Sequence, residues 1–184
     1  MSGGIPSLPL RVLIRMNYLD FNERNSPLGY LLTFRSYGTW LHGDEQGSVD
    51  RFHRIYGTPK LPRSGERQKY ERRLMKQKPV TLDSRQRVAV DSGIRETCTI
   101  RKWSLWALNV RTDNVHGVIY ANCKPAAILS ALKANATRSM RESGCWKSEL
   151  SPWAYGSSKK YLWTEKELAD AIAYVQYDQG EPLS

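Results

Sequence analysis

The segment Ser104–Tyr120 reads SLWALNVRTDNVHGVIY, two apolar runs divided by Thr112-Asp113. Leu105, Trp106, Ala107, Leu108 and Val110 give the first run, Ser104–Arg111, the content of a strand, and Thr112-Asp113 can turn the chain into a second strand. Strand side chains alternate between faces. Asn114, His116, Val118 and Tyr120 therefore share one face, and Asp113, Val115, Gly117 and Ile119 the other. A histidine and an asparagine at i and i+2 stand side by side on one sheet surface, the spacing with which a strand can offer two ligands to one metal ion. A lone strand histidine is also commonly a hydrogen-bonded structural residue.

Working outward, Asp83-Ser84-Arg85-Gln86 is a capping box that predicts a helix to about Arg101, with Val90, Ile94 and Cys98 on its apolar face. Upstream of it, Leu28–Tyr37 (LGYLLTFRSY) reads as a first strand closed by Gly38. Downstream, Pro125 suits the first turn of a helix with the stripe Ile128, Leu129, Leu132, Ala136 and Met140, ended by Gly144. Ala154–Trp163 is a further strand. Thr164-Glu165-Lys166-Glu167 is a second capping box, opening a last helix from Glu165 to about Asp178. The order is a βαββαβ pattern, an α+β ferredoxin-like antiparallel sheet with one extra C-terminal helix. Two helices should cover one sheet face and leave the other free to meet a ligand.

The chain has 184 residues and a formal net charge of +10, which points to an acidic polymer as partner. Much of the charge lies in an insertion after the first strand, residues 43–80. It is partly helical around Glu66–Gln77, with Phe52, Tyr56 and Tyr70 interleaved. Arg51, Arg54, Arg63, Arg67, Lys69, Arg72, Arg73 and Lys76 are its candidate phosphate contacts, joined by Arg111 from the second strand. A solvated loop with incidental charge is the plainer alternative. Residues 1–26 read as an arm or an upstream extension before Met16, and residues 27–182 as a single domain. Arg11 and Arg15 interrupt the N-terminal apolar patch, against a secretory leader. No apolar run reaches the roughly 18–20 residues of a membrane span. Three cysteines without metal-ligand spacing argue against a disulfide framework and fit a reduced, cytoplasmic setting.

The last helix carries Leu168, Ala171, Ile172 and Val175 as its stripe, with Tyr174 on the flank. A tyrosine hydroxyl, with a pKa of about 10, is a weak nucleophile near neutral pH. It becomes useful against a phosphodiester when a metal polarises the phosphate and stabilises the leaving oxygen. Asp178, four residues on, would reach the same site as a third ligand beside His116 and Asn114. The alternative is a tyrosine that packs at the sheet edge.

Four stretches together resemble the single-tyrosine HUH transposases, the branch that includes the REP-associated tyrosine transposases of bacteria. They are YLLTFRSYGTWLHG (Tyr30–Gly43), NVRTDNVHGVIY (Asn109–Tyr120), the Leu129–Arg138 helix and YLWTEKELADAIAYVQYDQG (Tyr161–Gly180). The resemblance implies cleavage and rejoining of single-stranded DNA beside hairpins through a 5′-phosphotyrosine link. It also implies magnesium or manganese held by a histidine pair, and a bacterial, nucleoid-associated location. The second histidine of the pair matches His116, the first position is Asn114, the nucleophile position matches Tyr174 and the third-ligand position Asp178. Tyr177 is the alternative nucleophile, Gln179 the alternative third ligand, and His42 the other histidine with a path to the site. An Asn oxygen can ligate magnesium or manganese, but it is a weaker ligand than imidazole for first-row ions.

Three functions stay open on the sequence. One is a metal-dependent transposase-like enzyme. Another is a catalytically impaired descendant that still binds hairpin or single-stranded DNA. The last is an RNA-binding ferredoxin-like module that stacks bases on Tyr30, Trp106 and Tyr120. A homodimer is compatible with each.

Overall fold

The computed structural model describes residues 26–39 and 65–178. The expected arm and the first part of the basic insertion lie outside the described residues, and with them His42, His53, Arg51, Arg54, Arg63 and Gln179. Four strands are described: β1 (Gly29–Ser36), β2 (Ser104–Val110), β3 (Asn114–Tyr120) and β4 (Trp153–Leu162). Four helices accompany them: α1 (Gly65–Leu74), α2 (Ser84–Ile100), α3 (Pro125–Glu142) and α4 (Glu165–Tyr177). The sheet order is β2-β3-β1-β4 and every pairing is antiparallel. This is the α+β ferredoxin-like arrangement with an added C-terminal helix, and α1 lies within the insertion that follows β1. No helix among the described residues is long and apolar enough to cross a membrane.

Local chemistry sets the helix boundaries. Asp83 accepts a hydrogen bond from the Gln86 N–H at 2.8 Å, and Gln86 Oε1 accepts from the Asp83 N–H at 3.0 Å, closing the box that starts α2. Thr164 and Glu167 form the equivalent box at the start of α4. α3 begins on Pro125 and is followed by Gly144, whose φ of +70° suits a residue without a Cβ.

The larger core lies between the sheet and the α2–α3 layer. Leu32 and Phe34 of β1 and Val115 and Ile119 of β3 meet Val90, Ile94 and Cys98 of α2 and the predicted stripe of α3. Burial of side chains of this size contributes about 1.5–3 kcal/mol each. The two helices cross closely at Gly93, where a Cβ would stand 2.8 Å from Ser139 Cβ and 3.0 Å from the Asn135 carbonyl oxygen.

The opposite sheet face is not left open. α4 lays Leu168, Ala171, Ile172 and Val175 over Ala107, Val118 and Leu162, so it covers the β2–β3 side. The strands offer it an apolar patch made by Leu31, Ala107, Val118 and Leu162. A register shift between Leu105 and Ala107 lets Trp106 stack on Tyr120 at 6.4 Å on this face. Tyr30 points the other way and is buried in the α2–α3 core. It cannot join Trp106 and Tyr120 in one base-stacking surface.

Candidate nucleic-acid and metal site

The site is built from the sheet register. His116 pairs with Asn109 of β2 on one side and Thr33 of β1 on the other, and Thr33 pairs with Ser158 of β4. Directly opposed residues share a face. A row of polar side chains, Asn109, His116, Thr33 and Ser158, therefore runs across all four strands. Asn114 and Arg35 oppose each other one step along the same face. The predicted partition of β3 holds from Asn114 onward: Val115 and Ile119 enter the α2–α3 core, while Val118 meets α4.

His116 is 7 % exposed. Its Nδ1 lies 2.9 Å from Thr33 Oγ1. With Nδ1 protonated, the ring donates to Thr33 and Nε2 keeps its lone pair, the arrangement a metal-binding histidine uses. Burial holds the imidazole pKa below its usual value. The charges of Arg35 and Arg111 push the same way, and Asp113 opposes them. The ring is thus kept in the neutral form that can ligate a cation or accept a proton.

Asn114 donates through Nδ2 to Asp113 Oδ1 at 3.0 Å, and its own Oδ1 is buried without a hydrogen-bond partner. Turning the amide over would set two oxygens against each other, so the Asp113 carboxylate fixes which way Asn114 faces. The strand alternation expected at Asp113 does not apply. β3 starts at Asn114, and Asp113 sits in the turn, where its carboxylate is free to come round to the amide.

α4 brings the tyrosine. The Asn109 Nδ2 donates to the Val175 carbonyl at 3.1 Å, which ties the end of this helix to β2 opposite His116. The Tyr174 ring then stands edge-on to His116, centroids 5.7 Å apart and planes at 88°. Tyr174 is 40 % exposed, so its ring touches the site while its edge reaches solvent. Tyr177, the alternative nucleophile, ends the helix and is 73 % exposed. Asp178 is the residue that caps α4, and its N–H bonds to the Tyr174 carbonyl.

No family model and no curated protein matches the chain.

An orphaned, buried amide oxygen on the same strand face as an imidazole whose Nδ1 faces Thr33 is the donor chemistry a hard divalent cation accepts. The acidic complement is thin. Among the described residues no group of three or more His, Cys, Asp or Glu side chains stands close enough to share a metal ion. The predicted phosphate contacts fall in two places. Lys69, Arg72 and Arg73 are exposed on or at the end of α1, Arg67 lies in the same helix, and Lys76 follows it. Arg111 lies at the end of β2 instead, with its N–H bonded to the Asn114 carbonyl at 2.8 Å. Its charge acts on His116 directly.

Thr33, Arg35, Asn109 and Ser158 carry no local signal in the sequence, because each sits within a strand and is joined to the others only by register. The polar residue within Leu108-Asn109-Val110 was the available hint, since it breaks an otherwise apolar run.

Proposed function

We propose that this chain binds single-stranded or hairpin DNA and cleaves and rejoins one strand, with Tyr174 as nucleophile. The observation that supports this most is the edge-on approach of the Tyr174 ring to the neutral, buried His116. The Tyr174 oxygen would attack the phosphorus, forming a tyrosine–phosphate ester and breaking the bond to the 3′ oxygen of the preceding nucleotide. The strand is then held by its 5′ phosphate, and the proton that the Tyr174 hydroxyl gives up ends on the freed 3′ oxygen, leaving a 3′ hydroxyl. Reversal of the same exchange on another 3′ hydroxyl rejoins strands without an external energy source.

His116 Nε2 and Asn114 Oδ1 are the residues that would hold a magnesium or manganese ion, with Asp178 as the further ligand suggested by the family resemblance. Such an ion supplies charge to the phosphate oxygens and to the leaving oxygen. Arg35 and Arg111 add fixed positive charge at the same place. Asn109 and the α4 stripe hold Tyr174 over the sheet.

A second reading is favoured by the thin acidic complement and the two guanidiniums: a protein that keeps the DNA-binding function and has lost cleavage. One experiment separates the two. The full chain is incubated with a hairpin oligonucleotide and manganese, and covalent protein–DNA adduct is resolved on a denaturing gel. Adduct with the parent chain and none with Tyr174→Phe supports the enzyme. Binding without adduct in both supports the binding protein. Adduct that survives in Tyr174→Phe and vanishes in Tyr177→Phe moves the nucleophile one turn along α4.

A further inference from the structure

β4 is an edge strand whose C-terminal half is uncovered. Among the described residues it pairs with β1 alone. α3 holds its first half, where the Trp153 Nε1–H donates to the Lys133 carbonyl and Lys133 Nζ donates to the Ala154 and Gly156 carbonyls. Beyond that point Lys159 opposes Leu32 and Tyr161 opposes Tyr30, so both lie on the face of the α2–α3 layer, and both are exposed. Tyr161 is 44 % exposed and Trp163 53 % exposed, and their rings stack at 6.2 Å with planes 11° apart.

This exposed pair is held in place. Tyr30, buried beneath, meets Tyr161 edge-on at 5.3 Å. The Trp163 N–H donates to the Glu167 carboxylate at 2.8 Å, within the capping box that starts α4. The Tyr161 ring is thus supported from below by Tyr30, and the Trp163 backbone is fixed by the α4 cap. The rest of the uncovered segment is Ser157, Ser158, Lys159 and Lys160, all polar or cationic and all exposed. Within Ser157–Trp163 the one aliphatic side chain, Leu162, is buried on the α4 side, which argues against a greasy protein partner. Adjacent lysines on an edge strand also oppose pairing with a second copy, since two such edges would bring like charges together.

We infer that Tyr161 and Trp163 form a stacking platform for unpaired bases of a single-stranded nucleic acid, with Lys159 meeting the phosphates. Aromatic faces accept any base, and lysines beside them track the backbone, the combination that single-strand binding uses. The inference rests on the nucleic-acid reading above but not on Tyr174 chemistry. It places a second contact on the sheet face opposite the Tyr174 site, so a strand would pass around the β4 edge from one to the other.

The test measures binding of a labelled oligothymidine to the full chain by fluorescence anisotropy. Tyr161→Ala and Trp163→Ala should each weaken binding by about fivefold or more, the range of one lost base stack. On an abasic strand of the same length the variants should bind as the parent does, because the phosphates remain. Parent chain that binds no oligonucleotide would overturn the nucleic-acid reading itself. Parent binding that both variants share unchanged would overturn the platform alone. So would variants that alter the sedimentation mass without altering oligonucleotide affinity, since the face would then belong to a second copy.

Discussion

At the scale of single residues the site depends on two orienting contacts. The Asp113 carboxylate faces the Asn114 amide nitrogen, and Thr33 faces His116 Nδ1; together they present one oxygen and one nitrogen as donors. Each contact substitutes for rigidity the donors lack by themselves. Two substitutions should move cation affinity in opposite directions. Asn114→His keeps a ring N–H for Asp113 and supplies an imidazole, so manganese affinity should rise about tenfold or more. Thr33→Val keeps the shape and removes the partner of Nδ1. It should lower manganese affinity and cost about 1–3 kcal/mol of stability, the penalty of a buried polar group left unmet. Manganese titration by paramagnetic resonance and urea unfolding report the two effects separately. Equal manganese affinity in Asn114→His and the parent would mean that the orphaned Asn114 oxygen is not a ligand position.

At the scale of elements, the α2–α3 layer is the rigid side of the molecule. Cys98 sits in it, and burial pushes its thiol up to about 11, with Arg95 opposing weakly. The thiolate is the reactive form, so Cys98 should resist iodoacetamide at pH 8 while the partly buried Cys123 and Cys145 react. The same shift has a signed consequence for stability. A thiol whose folded pKa lies above its unfolded value contributes stability that is whole below about 9, the unfolded range. That contribution is lost as pH rises towards 11. Urea midpoints should therefore fall over that interval in the parent and less in Cys98→Ala. Rapid alkylation of Cys98 in the native protein would show that α2 opens far more readily than its packing implies.

The same layer shows what a sequence can reveal about elements. Capping boxes, the Val90-Ile94-Cys98 spacing and Gly144 are local signals, and they located α2, α3 and α4 to within a residue or two. The pairing of Asn109, His116, Thr33 and Ser158 is not local. It depends on the register of four strands drawn from across the chain, and no window of sequence contains it. The alternation rule placed Asn114 and His116 together because both lie within one strand. It misplaced Asp113 because that residue belongs to the turn before β3, where strand alternation does not hold. The covering of the β2–β3 face by α4 was half visible: the helix had an apolar stripe, and Val118 was a position without an assigned neighbour.

At the scale of the whole molecule, charge and shape are separable. The formal net charge is +10, and a large share of the basic residues belongs to the insertion after β1 that contains α1. Phosphate contacts made there should add affinity without reading sequence. Affinity for single-stranded DNA should then fall steeply with salt, because each neutralised phosphate releases counterions. Replacing Arg67, Lys69, Arg72 and Arg73 together by Ala should flatten the plot of log affinity against log salt. The slope should change by up to about four times the single-strand increment of roughly 0.7 per phosphate. Discrimination between hairpin sequences should survive the change better than affinity does. Tyr174-dependent adduct formation at saturating DNA should survive as well, since the four residues belong to α1 and not to the strands and helix that carry His116 and Tyr174. A parent-like salt slope in that variant would make α1 a solvated helix. It would also shift the electrostatic contact to Arg35 and Arg111 at the site itself and to Lys159 and Lys160 on the β4 edge.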